Sequence, residues 1–183
     1  MKIILASASP RRRALLEAVG IKFKVCVSDV EEIVLSHWTA DQAARSLARQ
    51  KAEAVAAQYP EACVIGADTV VVIDGQILEK PKDAADAQRM LRLLSGREHR
   101  VITGVCLARG DRRRVFSQET AVRFYPLSDD EIARYVATGE PMDKAGSYGI
   151  QERGATLIER VEGDYFTVVG LPLCRLYQAL KEF

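Results

Sequence analysis

Asp68 lies in Gly66-Ala67-Asp68-Thr69-Val70-Val71-Val72, where small residues give way to a β-branched run. A carboxylate at such a break in a strand can hold a divalent cation or activate water. A bulge with a solvated acid is the plainer reading. Glu31 and Glu32 supply further carboxylates, although adjacent acids in a loop are usually solvated. The segment Ser7-Ala8-Ser9-Pro10-Arg11-Arg12-Arg13 joins small residues to cations at a helix start. Free N–H groups there attract anions, small residues let a phosphate approach the backbone, and guanidinium groups offer forked donors. An ordinary Ser-Pro cap followed by solvated arginines fits the local pattern equally well. The Walker pattern G-x-x-x-x-G-K-[ST] is absent.

Two lysines extend this set. Lys80, in Glu79-Lys80-Pro81-Lys82, could reach a phosphate, though alone it reads as a charged turn. Lys51 lies beside the apolar stripe of a long helix, where a lysine normally snorkels. The loop Asp143-Lys144-Ala145-Gly146-Ser147-Tyr148-Gly149-Ile150-Gln151 ends on an amide that can donate and accept at once, which suits the edge of a nucleobase. The alternative is a surface loop with Tyr148 as its packing anchor. Arg112-Arg113-Arg114 reads as a solvated hairpin tip.

The elements that must position these residues follow from local signals. Residues 2 to 6 read as a buried strand. Ser9 and Pro10 open a helix that Gly20 ends, and a second strand is expected over 21 to 28. Thr39 caps a long helix to about Tyr59, with Ala43, Ala44, Leu47, Ala48 and Val55 at helical spacing. Cys63 to Ile65 and Thr69 to Ile73 read as strand, with Gly66-Ala67-Asp68 between or within them. Asp74-Gly75 turns the chain into residues 76 to 78. Asp83 caps a helix that stops at Ser95-Gly96, and strands over 99 to 108 and 113 to 124 meet at Gly110-Asp111. Ser128-Asp129-Asp130-Glu131 is a capping box, so a helix runs to about Thr138. Residues 140 to 154 read as loop. Strands are expected near 155 to 161 and 165 to 169, and Pro172 opens a last helix to about Lys181. Hairpins alternating with crossovers predict an α/β fold with a mixed sheet.

The 183 residues suit one domain over 1–183, with room for two lobes around a cleft, and a core that needs neither disulfide nor metal. Lys plus Arg number 26 and Asp plus Glu 25, so the balanced charge argues against coating nucleic acid or an anionic membrane. No apolar run approaches the roughly 18 residues of a membrane span. Met1 to Ala6 meets Pro10 and the arginines too soon for a signal peptide, so a cytoplasmic protein is expected. Cys26, Cys63, Cys106 and Cys174 lie far apart among apolar neighbours and read as buried thiols. His37 and His99, the only histidines, sit in no metal or triad motif.

The order of these segments is more specific than any one of them. Ser7 to Arg12, Val30-Glu31-Glu32, Gly66 to Val71, Glu79-Lys80-Pro81, Leu94-Ser95-Gly96 and Asp143 to Gln151 together resemble the Maf family of nucleotide pyrophosphatases. The likeness runs from residue 3 to about residue 173. It implies an elongated, twisted mixed sheet flanked by helices around a central cleft, similar to the inosine triphosphate pyrophosphatases. It implies hydrolysis of nucleoside triphosphates between the α and β phosphates with Mg²⁺, Mn²⁺ or Co²⁺. The loop over 143 to 151 resembles the dTTP/UTP branch rather than the 7-methyl-GTP branch, and Glu152 stands where many relatives have Gly. By that resemblance Asp68 is the general base and a metal ligand, with Glu32 a second metal or water partner. Ser7, Arg11, Arg12, Lys51 and Lys80 bind the triphosphate, and Arg12, Thr69 and Gln151 bear on substrate choice. The implied role is house-cleaning of surplus or modified nucleotides. A homodimer is compatible with the resemblance, and neither nucleic acid nor membrane is an expected partner. The competing class is a nucleotide-sensing regulator of cell division without significant turnover. The carboxylates at Glu32 and Asp68 weigh against a pure sensor.

Overall fold

The computed structural model describes residues 1–183. Its centre is β3 (Cys63–Ile73), an unbroken strand that runs straight through Gly66-Ala67-Asp68. On one edge β3 pairs antiparallel with β5 (Glu98–Arg109) from Val64 opposite Ala108 to Val72 opposite Arg100. The other edge is shared. β1 (Ile3–Leu5) runs parallel to Cys63–Ile65 and carries the two-residue β2 (Lys24–Val25) outside it. β4 (Gln76–Leu78) folds back on Val71–Ile73 through Asp74 and Gly75, both at positive φ as a tight hairpin turn requires. β5 continues through a hairpin into β6 (Arg112–Phe124), and β6 pairs with β7 (Ile158–Glu162). The strand order is β2-β1-β3-β5-β6-β7, so the sheet is mixed, as the hairpins and crossovers predicted.

One consequence fixes the site. Between the end of β1 and the start of β4, residues 66 to 70 of β3 have no strand neighbour on that edge. Side chains alternate faces along a strand. Asp68, opposite Gly104, and Thr69, opposite Thr103, therefore lie on opposite faces. An open edge lets one ligand meet both.

Helix α2 (Ala40–Ala56) begins at the predicted Thr39 capping box, in which Gln42 N–H donates to Thr39 Oγ1 (3.2 Å) and Thr39 N–H to Gln42 Oε1 (2.9 Å). Its buried Ala44, Ala48 and Ala52 press directly on the sheet. A Cβ at Gly66 would collide with the carbonyl oxygen of Ala48, and one at Gly104 with that of Ala44. These glycines let the helix backbone rest on the strands, which lowers Lys51 onto Asp68. Gly104→Ala is expected to cost about 3 kcal/mol, the upper end of ordinary overpacking. Urea unfolding checks it, and an unchanged midpoint would show that the helix does not sit this close.

The other face is covered in two parts. Leu5, Leu16, Ile65, Leu107, Leu171 and Leu176 pack with α1 (Pro10–Ala18) and α6 (Leu173–Lys181). Leu91, Leu94, Phe124, Ile132, Val136 and Tyr148 pack with α3 (Ala84–Leu94) and α4 (Asp129–Ala137). Asp83 and Ser128 cap these last two helices as expected. Residues 165 to 169 depart from expectation. They form the short helix α5 (Tyr165–Val169), not a strand. Asp164 caps it, accepting from Thr167 N–H (2.8 Å) and Thr167 Oγ1 (2.7 Å). That local cap overrides the strand preference of Thr-Val-Val. The expected strand over 21 to 28 shrinks to Lys24–Val25, and residues 152 to 157 form a 3-10 turn before β7. Among the cysteines, Cys63 and Cys106 are buried as expected, but Cys26 is half-buried and Cys174 exposed.

His99 is 2% exposed and its Nε2 lies 2.7 Å from Tyr148 Oη, with Phe124 edge-on beside both rings. Burial pulls its pKa down to about 4 from an ordinary 6.5. The unfolded chain therefore takes up a proton between those values that the folded chain refuses. His99 lowers stability as pH falls through that window, by on the order of 3 kcal/mol at its acid end. Urea midpoints at pH 7 and pH 4.5 should lie closer together for His99→Gln than for the native chain. Equal acid sensitivity in both would contradict this.

Candidate active site

A cleft of about 750 Å³ opens along the free edge of β3. Its lining includes every site residue the resemblance implied, Ser7, Arg11 and Arg12 from the β1–α1 turn, Glu32, Lys51, Asp68, Thr69, Lys80 and Gln151, but not Glu31. The turn forms because β1 ends at Leu5 and Pro10 occupies the first helical position of α1, where its missing N–H costs nothing. Ser9 caps the helix, and Ser7 Oγ accepts from Ser9 N–H (3.2 Å).

Arg12 is built into the protein. Its Nε donates to Gly170 O (2.7 Å), Nη1 to Ser7 Oγ (3.1 Å) and Nη2 to Thr69 Oγ1 (3.1 Å). Burial, reinforced by Arg11, draws the guanidinium below its ordinary pKa, while Asp68 and Glu32 oppose that shift. Three of its five N–H groups are committed, so two remain for a ligand. The chain of hydroxyls beyond it has a direction. Thr103 Oγ1 donates to Thr167 O (2.7 Å), so the 2.9 Å contact between Thr103 and Thr69 is a bond donated by Thr69. Thr69 therefore faces the cleft as an acceptor.

Lys51 sits between two carboxylates. Its Nζ lies 2.5 Å from Asp68 Oδ1 and 3.0 Å from Glu32 Oε1. Asp68 and Lys51 side chains are about 15% exposed and Glu32 about half exposed. Glu32 comes from a segment without regular structure, and Gln50 braces that segment. The Gln50 amide accepts from Ile33 N–H and donates to Ile33 O, both at 2.9 Å. No group of three or more His, Cys, Asp or Glu side chains is placed to hold a metal. The Glu32–Asp68 pair nonetheless fits Mg²⁺ or Mn²⁺. Such ions bind through one or two carboxylates and complete their shell with phosphate oxygens and water.

The opposite wall is the segment from Glu140 to Glu152. Arg11 Nη1 meets Asp143 Oδ2 at 3.1 Å, and Lys144 Nζ meets Asp143 Oδ1 at 2.8 Å. Burial pushes the Asp143 carboxyl up, but the hydrogen bonds from Lys144 and Arg11 outweigh it and the net shift is downward. Lys80 and Gln151 reach the cleft with no ion pair or side-chain hydrogen bond. Both are free for a ligand. Val71, Val101, Ile150 and Val168 add apolar side chains to the lining that also holds Thr69. Tyr148 is the packing anchor its loop suggested.

Sequence reasoning did not single out Gln50, Glu140 or the apolar floor. Gln50 and Glu140 act through backbone contacts that leave no local mark. Val71 and Val101 were hidden because strand valines are ordinary. The assembled cleft combines cations for a polyanion, two carboxylates on one ammonium, and an apolar floor beside a free amide. It can bind a nucleoside polyphosphate and activate water against it.

The chain is similar to known proteins over nearly its whole length. Residues 2–183 match the family model described as Maf-like protein. The chain is 54% identical over 182 residues to a dTTP/UTP pyrophosphatase of Symbiobacterium thermophilum, covering 100% of this chain and 94% of that one. It is 50% identical over 182 residues to a dTTP/UTP pyrophosphatase of Bacillus cytotoxicus, covering 100% and 95%. The Ham1 protein of Staphylococcus aureus has the same fold at a TM-score of 0.56 and 18% identity, covering 100% of this chain and 98% of that one. The HAM1 protein of Coxiella burnetii has it at 0.54 and 19%, with 100% of each chain covered. With its motifs in order, its cleft in place and its whole length matched, the chain belongs to the Maf family.

Proposed function

We propose that the protein hydrolyses dTTP and UTP to the nucleoside monophosphate and pyrophosphate, a house-cleaning reaction in the cytoplasm. The observation that carries this reading is that one cleft gathers Arg11, Lys80, the Lys51-bridged carboxylates and the free Gln151 amide. The relatives of S. thermophilum and B. cytotoxicus, both named for this activity, support the choice of nucleotides.

The chain's residues divide the work. Arg11, Lys80 and the β1–α1 turn take the β and γ phosphates, which leave as pyrophosphate. Asp68 Oδ1 is held by Lys51, while Oδ2 has no protein partner and accepts the proton of the attacking water. The water oxygen bonds to the α phosphorus, and the bond to the α–β bridging oxygen breaks. That oxygen leaves with pyrophosphate, its charge met by Lys80 and Arg11. A divalent cation held by Glu32, Asp68 and the phosphates would neutralise phosphate charge and lower the pKa of bound water. The apolar floor receives the base, and Gln151 with the acceptor face of Thr69 meets its polar edge. Nucleic acid does not fit a balanced surface charge. No helix is long and apolar enough to cross a membrane. A homodimer is compatible with the free edge at β2, and the mass in solution decides it.

The test is a pyrophosphate-release screen over canonical and modified nucleoside triphosphates with Mg²⁺, Mn²⁺ or Co²⁺. Release from dTTP and UTP, abolished by EDTA, is expected. Tight nucleotide binding without release from any member would favour the sensor, and release of single phosphates would refute α–β cleavage.

A further inference from the structure

On both sides of Gln151 the backbone is held in conformations that residues other than glycine seldom adopt. Ser147 and Glu152 both have positive φ, at 63° and 55°, and neither is glycine. Gly149 and Gly154 are pressed against their surroundings. A Cβ at Gly149 would lie 2.8 Å from Lys144 Cε, and one at Gly154 would collide with the Gly149 carbonyl. Such a conformation persists only where contacts over-determine it. The backbone N–H groups of Gly149, Arg153 and Gly154 lead, directly or through Tyr135, to one side chain that lies outside the Asp143–Gln151 motif.

We propose that Glu140 is the positioning residue for base recognition: its carboxylate grips the chain on both sides of Gln151 and sets where that amide points. On the far side, Gly154 N–H donates to Glu140 Oε1 (3.0 Å) and Arg153 N–H to Oε2 (3.2 Å). On the near side the link runs through Tyr135 of α4. Gly149 N–H donates to Tyr135 Oη (3.2 Å), and Tyr135 O–H donates to Glu140 Oε1 (2.9 Å). Glu140 is itself anchored, since Lys144 Nζ donates to its carbonyl oxygen at 2.6 Å. Three donors meet this carboxylate, and only an acceptor-only group satisfies them all. A Gln there would turn an amide N–H against a backbone N–H. Gln151 has no partner of its own, so its direction is inherited from this frame.

The inference rests on the pyrophosphatase reading only in taking the ligand to be a pyrimidine nucleotide. Binding rather than turnover therefore tests it. Calorimetry would compare the α,β-methylene analogues of dTTP and dCTP, which differ at the pyrimidine edge, with inorganic tripolyphosphate, which has no base. The native chain should prefer the dTTP analogue. Glu140→Gln should cut that preference about tenfold and leave tripolyphosphate affinity unchanged. Gln151→Ala should cut it equally, and the double variant should add nothing, as expected for two residues acting as one. Tyr135→Phe removes only the phenolic bridge and should shift the preference the same way. The proposal is overturned if preference survives in Glu140→Gln or Gln151→Ala, if the native chain has none, or if tripolyphosphate affinity falls by the same factor. Failure of pyrophosphate release from the native chain would sink the enzymatic reading without touching this comparison.

Discussion

Asp68→Asn should lower pyrophosphate release from dTTP by about 10² to 10⁴-fold, the usual contribution of a positioned base. Nucleotide affinity should stay within a few-fold of native. The two halves of this result have separate causes. Asparagine keeps the shape of the side chain, and its oxygen can still accept from Lys51 in place of Asp68 Oδ1, 2.5 Å away in the native chain. The wall of the cleft therefore keeps its form. The amide nitrogen then takes the place of Oδ2, the atom left free for water, and it cannot accept a proton. Binding does not suffer in the same way, because a carboxylate beside a polyanionic substrate opposes binding electrostatically. Steady-state release assays and calorimetry with a non-hydrolysable dTTP analogue read the two effects independently. Turnover within tenfold of native would remove Asp68 as the base.

The parts of this fold that local chemistry dictates were legible. Thr39 with Gln42, Ser128 with Glu131, and Asp74-Gly75 each complete their hydrogen bonds or dihedral requirements within a few residues, and each stands where expected. Residues 165 to 169 show the opposite case. Their β-branched composition reads as strand, but Asp164 closes a helical turn and Thr167 O is needed by Thr103 across the sheet. Gly66 gave half its meaning away. It suggested a break in a strand, whereas β3 is continuous there and the glycine admits α2. The spacing of Ala44, Ala48 and Ala52 was the available signal, because a small-residue stripe facing glycines lets two backbones approach. The site divides along the same line. Ser7, Arg11, Lys51, Asp68, Lys80 and Gln151 stand out by residue type and order, and the structure gathers them in one cleft. Gln50 and Glu140 serve the backbone of distant segments, and nothing in their neighbourhoods announces it.

Lys51→Met should move two readouts in opposite directions. Pyrophosphate release should fall by about 10² to 10³-fold, the scale of losing one preorganised charge from a polyanion site. Binding of Mn²⁺ alone, followed by electron paramagnetic resonance, should tighten by about tenfold. The reason is that the Lys51 ammonium stands between the two oxygens proposed to hold the cation, 2.5 Å from Asp68 and 3.0 Å from Glu32. In the free protein it neutralises them, so a divalent ion must displace or crowd it. Methionine keeps the unbranched stem that packs along α2 and removes only the charge. Asp68 and Glu32 are then left as an uncompensated pair, which attracts a cation more strongly. With the nucleotide present the balance reverses, because Lys51 is also a counter-charge for the phosphates and its loss leaves two carboxylates facing a polyanion. A variant that lost turnover yet bound Mn²⁺ no better than the native chain would place the cation elsewhere. One that kept turnover would make Lys51 a structural bridge only. The opposed signs also separate this account from simple misfolding, which would weaken both.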